Sequence, residues 1–386
     1  MSQIPVYNVN NACSTGSTAL YMSRQFIQYG MSDCVLAVGW EKMQPGSLTP
    51  KWTDRARPNG KAWEVLENTR GKTAAPMNAQ IFGNAGKEYM EKYGAKAEHF
   101  AQIAAINHCH SALNPYSQFK DKYTTEDVMN SPKIHDYLTK LQCCPTSDGS
   151  GAAILVSEKF LNEHPHLRQQ AVRIVGQEMA TDAPILYSGS AIELVGAEMT
   201  RTAAKRVFQK ANITPDDIQV CELHDCFSAN EMVCLDALGL AKPGKAHELI
   251  ANGDITYGGK YVVNPSGGLI SKGHPLGATG LAQCAELVWQ LRGWCGERQV
   301  PRVKYALQHN VGLGGAVVIT LYQRADGKES PLSAPVGVED GRKWAGYNPA
   351  VEARWLTEEQ INQVRSKKAR SEFIMGGRKN PIDARL

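Results

Sequence analysis

The feature that most constrains the fold is an alternation of apolar strand patterns with amphipathic helical patterns. Near the start of the chain, residues 4–9 are extended and apolar, residues 18–29 have helical spacing, and residues 34–39 form a continuous apolar run. A continuous apolar run is typical of a strand that is buried on both faces of a parallel sheet. Residues 4–40 are therefore predicted to form a strand–helix–strand unit with one parallel strand pair.

The same alternation returns in the second half of the chain, where it begins near Ala171. Alternating strands and helices predict a layered α/β domain, so the predicted fold class is α/β. The predicted strands are 172–177, 218–223, 305–308 and 316–322, and the predicted helices are 196–212, 230–240 and 280–292.

The rest of the chain differs from these two units in composition and periodicity. Residues 41–148 are polar, with predicted helices at 77–113 and 124–140, which indicates an inserted or covering domain. A strand at 152–156 and a helix to residue 164 return to the first unit, and periodicity weakens after Ala325. The 386 residues exceed what one compact core holds. The predicted domains are 1–40 with 149–170, 41–148, 171–323 and 324–386.

Composition argues against several classes of protein. The formal net charge of +4 gives no reason to expect a polyanionic partner. The basic clusters of the tail, 367–370 and 378–379, contain no aromatic residue of the kind that nucleic-acid sites interleave with basic ones, and are predicted to form a solvated surface. No apolar run approaches the ~20 residues that span a bilayer. None of the ten cysteines forms a Cys-x-x-Cys pair, which indicates free thiols in a reducing compartment.

The last three residues, Ala384-Arg385-Leu386, resemble the Ser-Lys-Leu class of peroxisomal address. They predict a peroxisomal or related location. A tripeptide also arises by chance, so a mitochondrial or cytoplasmic location is the alternative.

Cys13 lies in a short polar turn between a predicted strand and the first turn of a helix. The free N–H groups of a helix start carry partial positive charge, which would lower the pKa of the thiol and would also hold an oxyanion. Cys13 is therefore a candidate nucleophile. Its position alone leaves open the alternative of a small buried cysteine.

The segment His224-Asp225-Cys226-Phe227 joins a predicted strand to a predicted helix. Ligands of α/β folds bind at the carboxyl ends of strands, so an imidazole, a carboxylate and a thiol together indicate a site here. A helix-capping Asp225 beside a packing Cys226 is the alternative.

A glycine-rich stretch over 264–280 holds His274 in a loop before a helix. Pro275 restricts the loop, and an imidazole titrates near neutral pH, so His274 is a candidate general base for a thiol. A fourth segment, 308–315, joins two predicted strands. It could present backbone N–H groups to a substrate or form a plain hairpin.

Together these segments resemble the thiolases, and most closely the sterol-carrier-protein-type thiolases. The resemblance runs from residue 4 to residue 322, and its motifs stand at 11–17, 224–227 and 273–280, with support from 142–149 and 256–260. It implies the thiolase fold, with two similar layered α/β/α domains and an inserted loop domain. It also implies a homodimer or homotetramer, with acyl-CoA and coenzyme A as substrates and without a metal or bound cofactor.

The resemblance implies a role for each candidate residue. Cys13 would carry the acyl group as a thioester, and His274 would activate Cys13. His224 stands where most thiolases have an asparagine that anchors an oxyanion-hole water. The backbone N–H groups of Cys13 and of a residue near Val311 would form a second oxyanion hole. The loop that contacts CoA or substrate would contain Ser266, Gly267 and Gly268.

The chain departs from the family at two points. Most thiolases have a Cys-x-Gly motif whose cysteine transfers protons, but the matching place here is His309-Asn310-Val311. Cys226 would then transfer the protons. The family also places its nucleophile after two strand–helix units, whereas twelve residues precede Cys13. We therefore expect that this sequence lacks the N-terminal segment of the first domain.

The implied reaction is thiolysis of a 3-ketoacyl-CoA, or the reverse Claisen condensation, through an acyl-Cys13 intermediate. Two alternatives stay open. One is a condensing synthase that uses His309 or Asn310, and the other is a non-catalytic thiolase-like protein that binds acyl-CoA or lipid. His108 and His110 flank Cys109, but the other ligands of a metal site are not evident, so no metal is expected.

Overall fold

The computed structural model describes residues 4–44, 54–56, 59–313, 315–334, 338–339, 342–343 and 347–366. Val9–Val351 forms one compact unit, and the described parts of a second unit are 4–8 and 352–366. The C-terminal tripeptide and the basic tail lie outside the described residues. Within those residues, no helix combines the length and the apolar character that a membrane crossing requires.

Helices and strands alternate along much of the chain. The helices are α1 (Thr15–Gln28), α2 (Gly60–Arg70), α3 (Met77–Tyr93), α4 (Ala97–Ser111), α5 (Thr125–Asn130), α6 (Glu158–Glu163), α7 (Ala191–Leu194), α8 (Ala197–Ala211), α9 (Ser228–Ala237), α10 (Ala246–Ala251), α11 (Thr279–Arg292) and α12 (Glu358–Arg365). The strands are β1 (Cys34–Glu41), β2 (Lys133–His135), β3 (Leu138–Thr139), β4 (Gly149–Val156), β5 (Val172–Thr181), β6 (Val220–Glu222), β7 (Val262–Val263), β8 (Ala306–Gly312), β9 (Ala316–Arg324), β10 (Val338–Glu339) and β11 (Arg342–Lys343).

The main sheet has five strands in the order β5-β9-β8-β6-β7. Strand β6 is parallel to β7 and β8, whereas β9 is antiparallel to β8 and β5. Successive residues of β8 pack into different cores, because side chains of a strand alternate between its faces. Ala306 packs with Leu281 of α11, and Leu307 belongs to the core that contains Val207 of α8 and Met232 of α9. These helix–sheet–helix layers confirm the predicted α/β fold class.

Strands β1 and β4 form a separate antiparallel pair, in which Cys34 lies opposite Val156 and Glu41 lies opposite Gly149. One face packs against α1 and α11 through Ala37. The other face is open, with Leu36 61% exposed and Ile154 69% exposed. The prediction that residues 34–39 are buried on both faces is therefore wrong.

The predicted strand at 4–9, and its parallel pairing with 34–39, are also wrong. Residues 4–10 form no strand, and the side chains of Ile4 and Val6 are 68% and 77% exposed. An extended apolar run becomes a strand only where a neighbouring strand takes up its backbone N–H and C=O groups. The partner of β1 is β4 instead.

The helical predictions between residues 77 and 140 need two corrections. Residues 77–113 form two helices, because α3 ends at Gly94, whose φ of +75° belongs to the left-handed region. Helix α5 occupies only the first part of the predicted helix at 124–140. Pro132 follows its last residues and cannot continue a helix, so the chain goes on as the short strands β2 and β3.

Candidate active site

The turn that carries Cys13 is fixed by its own hydrogen bonds. Ala12 has a φ of +48°, a conformation that a non-glycine residue adopts at an energetic cost. The N–H of Ser14 donates to the carbonyl of Asn11 at 3.0 Å, and the N–H of Thr15 donates to the carbonyl of Ala12 at 3.1 Å. Helix α1 begins immediately afterwards, so the thiol of Cys13 has a defined position at the start of the helix.

Helix α11 lies against α1 at a contact that only glycine permits. A Cβ at Gly280 would lie 2.0 Å from Oγ of Ser17 and 2.4 Å from its backbone nitrogen. This close approach brings the loop before α11 to the turn before α1. Sγ of Cys13 and one ring nitrogen each of His224 and His274 lie within 4.8 Å of one another. The structure therefore brings together three residues that the sequence motifs indicate.

His274 is buried, and its hydrogen bonds define its tautomer. Nδ1 lies 2.7 Å from Oγ1 of Thr279, and that hydroxyl donates to the carbonyl of Pro275 at 3.1 Å. Because the hydroxyl proton is already used, Nδ1 of His274 must be the donor, and Nε2 carries the lone pair. Nε2 is buried and has no hydrogen-bond partner among the described residues. Burial, followed by the charge of Lys272, lowers the pKa of His274 to about 3, so the ring is neutral.

Burial also raises the pKa of Cys13 to about 12, and the charge of Glu41 adds to this effect. The backbone N–H of Cys13 acts in the opposite direction but is the smaller influence. The backbone at the helix start therefore acts in the predicted direction, but burial outweighs it and the net shift of the pKa is opposite to the prediction. With these shifts, the site contains a neutral thiol and a neutral imidazole near neutral pH.

His224 reaches the same place from the end of β6. Its ring stands edge-on to that of His274, with 4.9 Å between the centroids and an interplanar angle of 84°. Burial lowers the pKa of His224 well below its ordinary value, and the neighbouring His274 and His309 lower it further. Nδ2 of Asn310 donates to Nδ1 of His224 at 2.9 Å.

Cys226 is buried beside the same group of residues. Its pKa is raised well above the ordinary value by burial first, and then by charge on Cys144 and Cys13. The backbone N–H of Cys144 donates to the carbonyl of Cys226 at 2.9 Å. Cys144 is a neighbour of the site that sequence reasoning missed. The only signal for it was the Cys143-Cys144-Pro145 segment, which had no role of its own.

Asp225 and Glu231 form a buried carboxyl pair next to Cys226. Asp225 accepts hydrogen bonds from the N–H groups of Leu269 at 2.7 Å and Ile270 at 3.3 Å. Asp225 therefore holds the π-helical turn at Gly268–Lys272, and the alternative that it caps its own helix is wrong. The amide of Asn107 donates to both carboxyl groups. Burial raises the pKa of both acids, and the charge of Asp225 raises that of Glu231 further.

The other sequence-predicted residues lie in two places. The end of β8 runs along the Cys13 turn, since a Cβ at Gly312 would lie 2.2 Å from the carbonyl oxygen of Asn11. This brings Val311 close to the turn. The hydroxyl of Ser266 donates to Glu222 at 2.8 Å, so this loop binds the protein itself. Contact of CoA with the loop stays a prediction for three buried residues, Ser266, Gly267 and Gly268.

The histidines around Cys109 do not form a ligand set in the structure. His108 bonds the carbonyl of Leu141, and His110 lies between the carbonyl of Asn264 and the hydroxyl of Thr256. Cys109 is exposed. His309 does not face Cys13 either, because its ring lies 3.1 Å from Oγ1 of Thr200 and within 3.4 Å of the N–H of His224.

Two profiles of one family match the chain on both sides of this site. "Thiolase, N-terminal domain" matches residues 1–159, and "Thiolase C-terminal domain-like" matches residues 187–321. The chain belongs to the thiolase family. The resemblance seen in the sequence motifs is thereby confirmed. Cys13 lies in the N-terminal match, and His224, Cys226 and His274 lie in the C-terminal match of this thiolase-family chain.

Relatives of this thiolase-family chain extend over the same region. Sterol carrier protein 2 of Oryctolagus cuniculus is 59% identical over 324 residues, which are 84% of this chain and 59% of that protein. Non-specific lipid-transfer protein-like 2 of Caenorhabditis elegans is 51% identical over 84% of this chain and 79% of its own length. Acetyl-CoA acetyltransferase of Methanothermobacter thermautotrophicus is 35% identical over 84% and 81%. The chain therefore spans about three fifths of sterol carrier protein 2.

Two solved structures share the fold. Human mitochondrial 3-ketoacyl-CoA thiolase matches with a TM-score of 0.56 and 19% identity, over 82% of this chain and 78% of that chain. The Ltp2-ChsH2(DUF35) aldolase matches with a TM-score of 0.68 and 23% identity, over 81% and 78%. At these identities the likeness shows the thiolase fold alone.

Proposed function

We propose that this chain is a 3-ketoacyl-CoA thiolase that works through an acyl-Cys13 intermediate. The observation that carries the proposal is the buried Nε2 of His274, which has no hydrogen-bond partner among the described residues, in a ring that has one nitrogen within 4.8 Å of Sγ of Cys13 and of a ring nitrogen of His224. A lone pair without a protein partner is available to take the thiol proton, and a positioned imidazole is a common base for a sulfur nucleophile. A relative named acetyl-CoA acetyltransferase supports acyl-group chemistry at such a site.

In the first half of the reaction, Sγ of Cys13 gives its proton to Nε2 of His274 and attacks the 3-keto carbon. The oxyanion collapses, the bond between C2 and C3 breaks, and the acyl group stays on Cys13. The electron pair of the broken bond passes to C2 of the departing thioester. The thiol of Cys226 protonates C2, and acetyl-CoA leaves.

In the second half, coenzyme A gives its thiol proton to the Cys226 thiolate and attacks the acyl-Cys13 thioester. Acyl-CoA leaves, and the Cys13 thiolate takes its proton back from His274. Cys13, Cys226 and His274 return to their starting protonation states, and the thiol proton of coenzyme A ends on C2 of acetyl-CoA. The reaction involves no net oxidation, so it needs no redox cofactor. The reverse direction, a Claisen condensation, uses the same groups.

The variant Cys226→Ala tests the proton step. We expect it to slow solvent exchange at the α-carbon of acetyl-CoA by about 10²-fold or more, since a positioned acid/base contributes on this scale. Cys13 should still become acylated by acetoacetyl-CoA, as measured by intact mass. Cys284→Ala is a matched control, because Cys284 is 5% exposed and Cys226 4% exposed. Cys284 has Tyr322 as a hydrogen-bond neighbour and Arg292 as a charged neighbour.

Unchanged exchange in Cys226→Ala would assign the proton step to another group. If the wild-type chain neither acylates at Cys13 nor turns over acetoacetyl-CoA, the enzyme proposal fails and a non-catalytic acyl-CoA-binding protein is favoured. Release of carbon dioxide from a malonyl thioester, without cleavage that depends on CoA, would instead identify a condensing synthase.

A further inference from the structure

His224 and His274 are two neutral, buried imidazoles whose centroids are 4.9 Å apart. A neutral imidazole has one N–H and one lone pair, and the hydrogen bond made by one nitrogen decides what the other presents. The hydrogen-bond partners of each ring therefore decide whether that ring can act as a base or as a donor. For His274 this partner is the hydroxyl of Thr279, which in turn donates to the carbonyl of Pro275.

A longer chain of hydrogen bonds leads to the ring of His224. The chain begins at the carbonyl of Gly280, which can only accept. Nε2 of Gln308 donates to this carbonyl at 2.6 Å and to Oγ of Ser17 at 3.0 Å. The hydroxyl of Ser17 therefore points its own hydrogen at Oδ1 of Asn310, at 2.9 Å. The amide orientation of Asn310 follows, so its NH₂ group faces Nδ1 of His224 at 2.9 Å.

We propose that Asn310, oriented by Ser17, is a positioning residue that fixes His224 in the tautomer with its hydrogen on Nε2. Nδ1 accepts from Asn310 and so holds the lone pair, and none of the hydrogen bonds of the described residues uses Nε2. The two hydrogen-bond chains thus give opposite results. His274 presents a lone pair, whereas His224 presents an N–H that can donate to a substrate oxygen as negative charge develops there.

The same arrangement explains why a Cys–His–His group need not bind a metal. Zinc requires a lone pair from each ligand, and Cys13, His224 and His274 have ligand atoms close enough to share an ion. In the proposed tautomer, His224 offers a hydrogen in place of a lone pair. A single change at Asn310 should convert the group into a set of three lone-pair ligands.

Asn310→Asp makes that change without altering size. A carboxylate at this position accepts from Nδ1, so the hydrogen moves there and leaves the lone pair on Nε2. We expect ¹⁵N spectra of histidine-labelled protein, assigned with His224→Gln, to show this transfer. Co²⁺ should then give a thiolate-to-metal absorption band with Asn310→Asp, which the wild type lacks at the same Co²⁺ concentration. Gln177→Glu is the matched control, since it places a buried carboxylate in the same sheet at 3.0 Å from the Thr320 hydroxyl.

The catalytic consequence rests on the proposed thiolase function. Loss of one oxyanion donor should lower kcat of Asn310→Asp by about 10²- to 10³-fold. The rate of Cys13 alkylation by iodoacetamide should stay within about twofold of wild type, because His274 and Thr279 are unchanged. A purely structural defect would lower both rates together.

The tautomer itself can be measured whether or not the chain is an enzyme. Wild-type His224 with its hydrogen on Nδ1, or an unchanged tautomer in Asn310→Asp, overturns the proposal. If Asn310→Asp does not fold, Ser17→Ala takes its place, and its His224 signals should show a mixture of tautomers; a single unchanged tautomer again overturns the proposal. A correct tautomer in a chain without thiolase activity leaves the positioning role in place and removes the proposed function.

Discussion

The sheet that supports Cys13 and the sheet that supports the two imidazoles are built differently. Strand β1 alternates between exposed and covered residues, and its only described partner is β4. Strand β8 lies inside a five-stranded sheet, and all seven of its residues are buried. The difference teaches that, within the described residues, the contact between α1 and α11 joins the two-stranded sheet of β1 and β4 to the five-stranded sheet.

The largest expected effect is a difference in stability between a substitution in the five-stranded sheet and one in the sheet of β1 and β4. Leu307 on β8 is fully buried, so Leu307→Ala should lower the free energy of unfolding by about 2–5 kcal/mol, through lost burial and the cavity that remains. Leu36 on β1 is 61% exposed, and Leu36→Ala should change it by less than about 0.5 kcal/mol. Urea unfolding measures both. A cost above about 1 kcal/mol for Leu36→Ala would mean that the open face of β1 is covered in solution.

The next effect tests the contact between α1 and α11, which joins the two sheets. Gly280→Ala places a Cβ against the backbone of Ser17, which cannot move aside as a side chain can. We expect a loss of about 1–3 kcal/mol in stability from overpacking. Acylation of Cys13 should fall by about 10²-fold, because the thiol and His274 are displaced from each other.

Gly60→Ala is the control for this substitution, since a Cβ at Gly60 meets no atom within 4 Å. It should leave both the stability and the acylation rate near their wild-type values. Normal acylation by Gly280→Ala would show that acylation does not depend on the close contact between α1 and α11. The comparison of the two sheets would then say nothing about function.

The smallest effect is the pH dependence of stability that arises from two buried histidines, one in the five-stranded sheet and one in the loop before α11. Burial lowers the pKa of His309 and of His274 to about 3, below the value near 6.5 of an unfolded histidine. The unfolded chain then binds more protons than the folded chain, so these groups stabilise the fold above pH 6.5 and lose that contribution as the pH falls toward 3. His309→Gln should flatten the decline by at most about 1.4 kcal/mol per pH unit.

Chemical unfolding between pH 7 and pH 5 measures this decline. His166→Gln, a substitution at an exposed histidine, serves as the control and should follow the wild-type curve. Because the buried acids Asp225 and Glu231 act in the opposite direction over this range, the decisive comparison is between His309→Gln and the wild type. An identical pH dependence of the two chains would contradict the assignment of His309 as a neutral, buried imidazole.

The sequence indicated three residues that the structure brings together, but it did not indicate the partners that hold them. Cys13, His224 and His274 were found because a thiol or an imidazole at a strand end or helix start is informative by itself. Ser17 and Asn310 were not linked, because they are 293 positions apart and only folding brings them together. Residues 4–9 were misassigned for a related reason, since an apolar pattern does not specify a neighbouring strand.

The direction of the Cys13 pKa could not be predicted from the motif. A helix start favours a thiolate, but the extent of burial, which has the larger effect here, depends on how α11 and β8 pack around the turn. Helix α5 shows the opposite situation. The predicted helix at 124–140 ran past its true end, although Pro132 marks that end through local geometry alone.

The neutral state of the Cys13 thiol has a consequence for oxidative damage. Peroxide attacks thiolates far faster than thiols, and its first product on cysteine is a sulfenic acid. In the proposed thiolase, a Cys13 that stays protonated until its proton passes to His274 would be a poor target for peroxide before substrate binds. Such a thiol would survive in a compartment that generates hydrogen peroxide, where a permanently ionised cysteine would be inactivated.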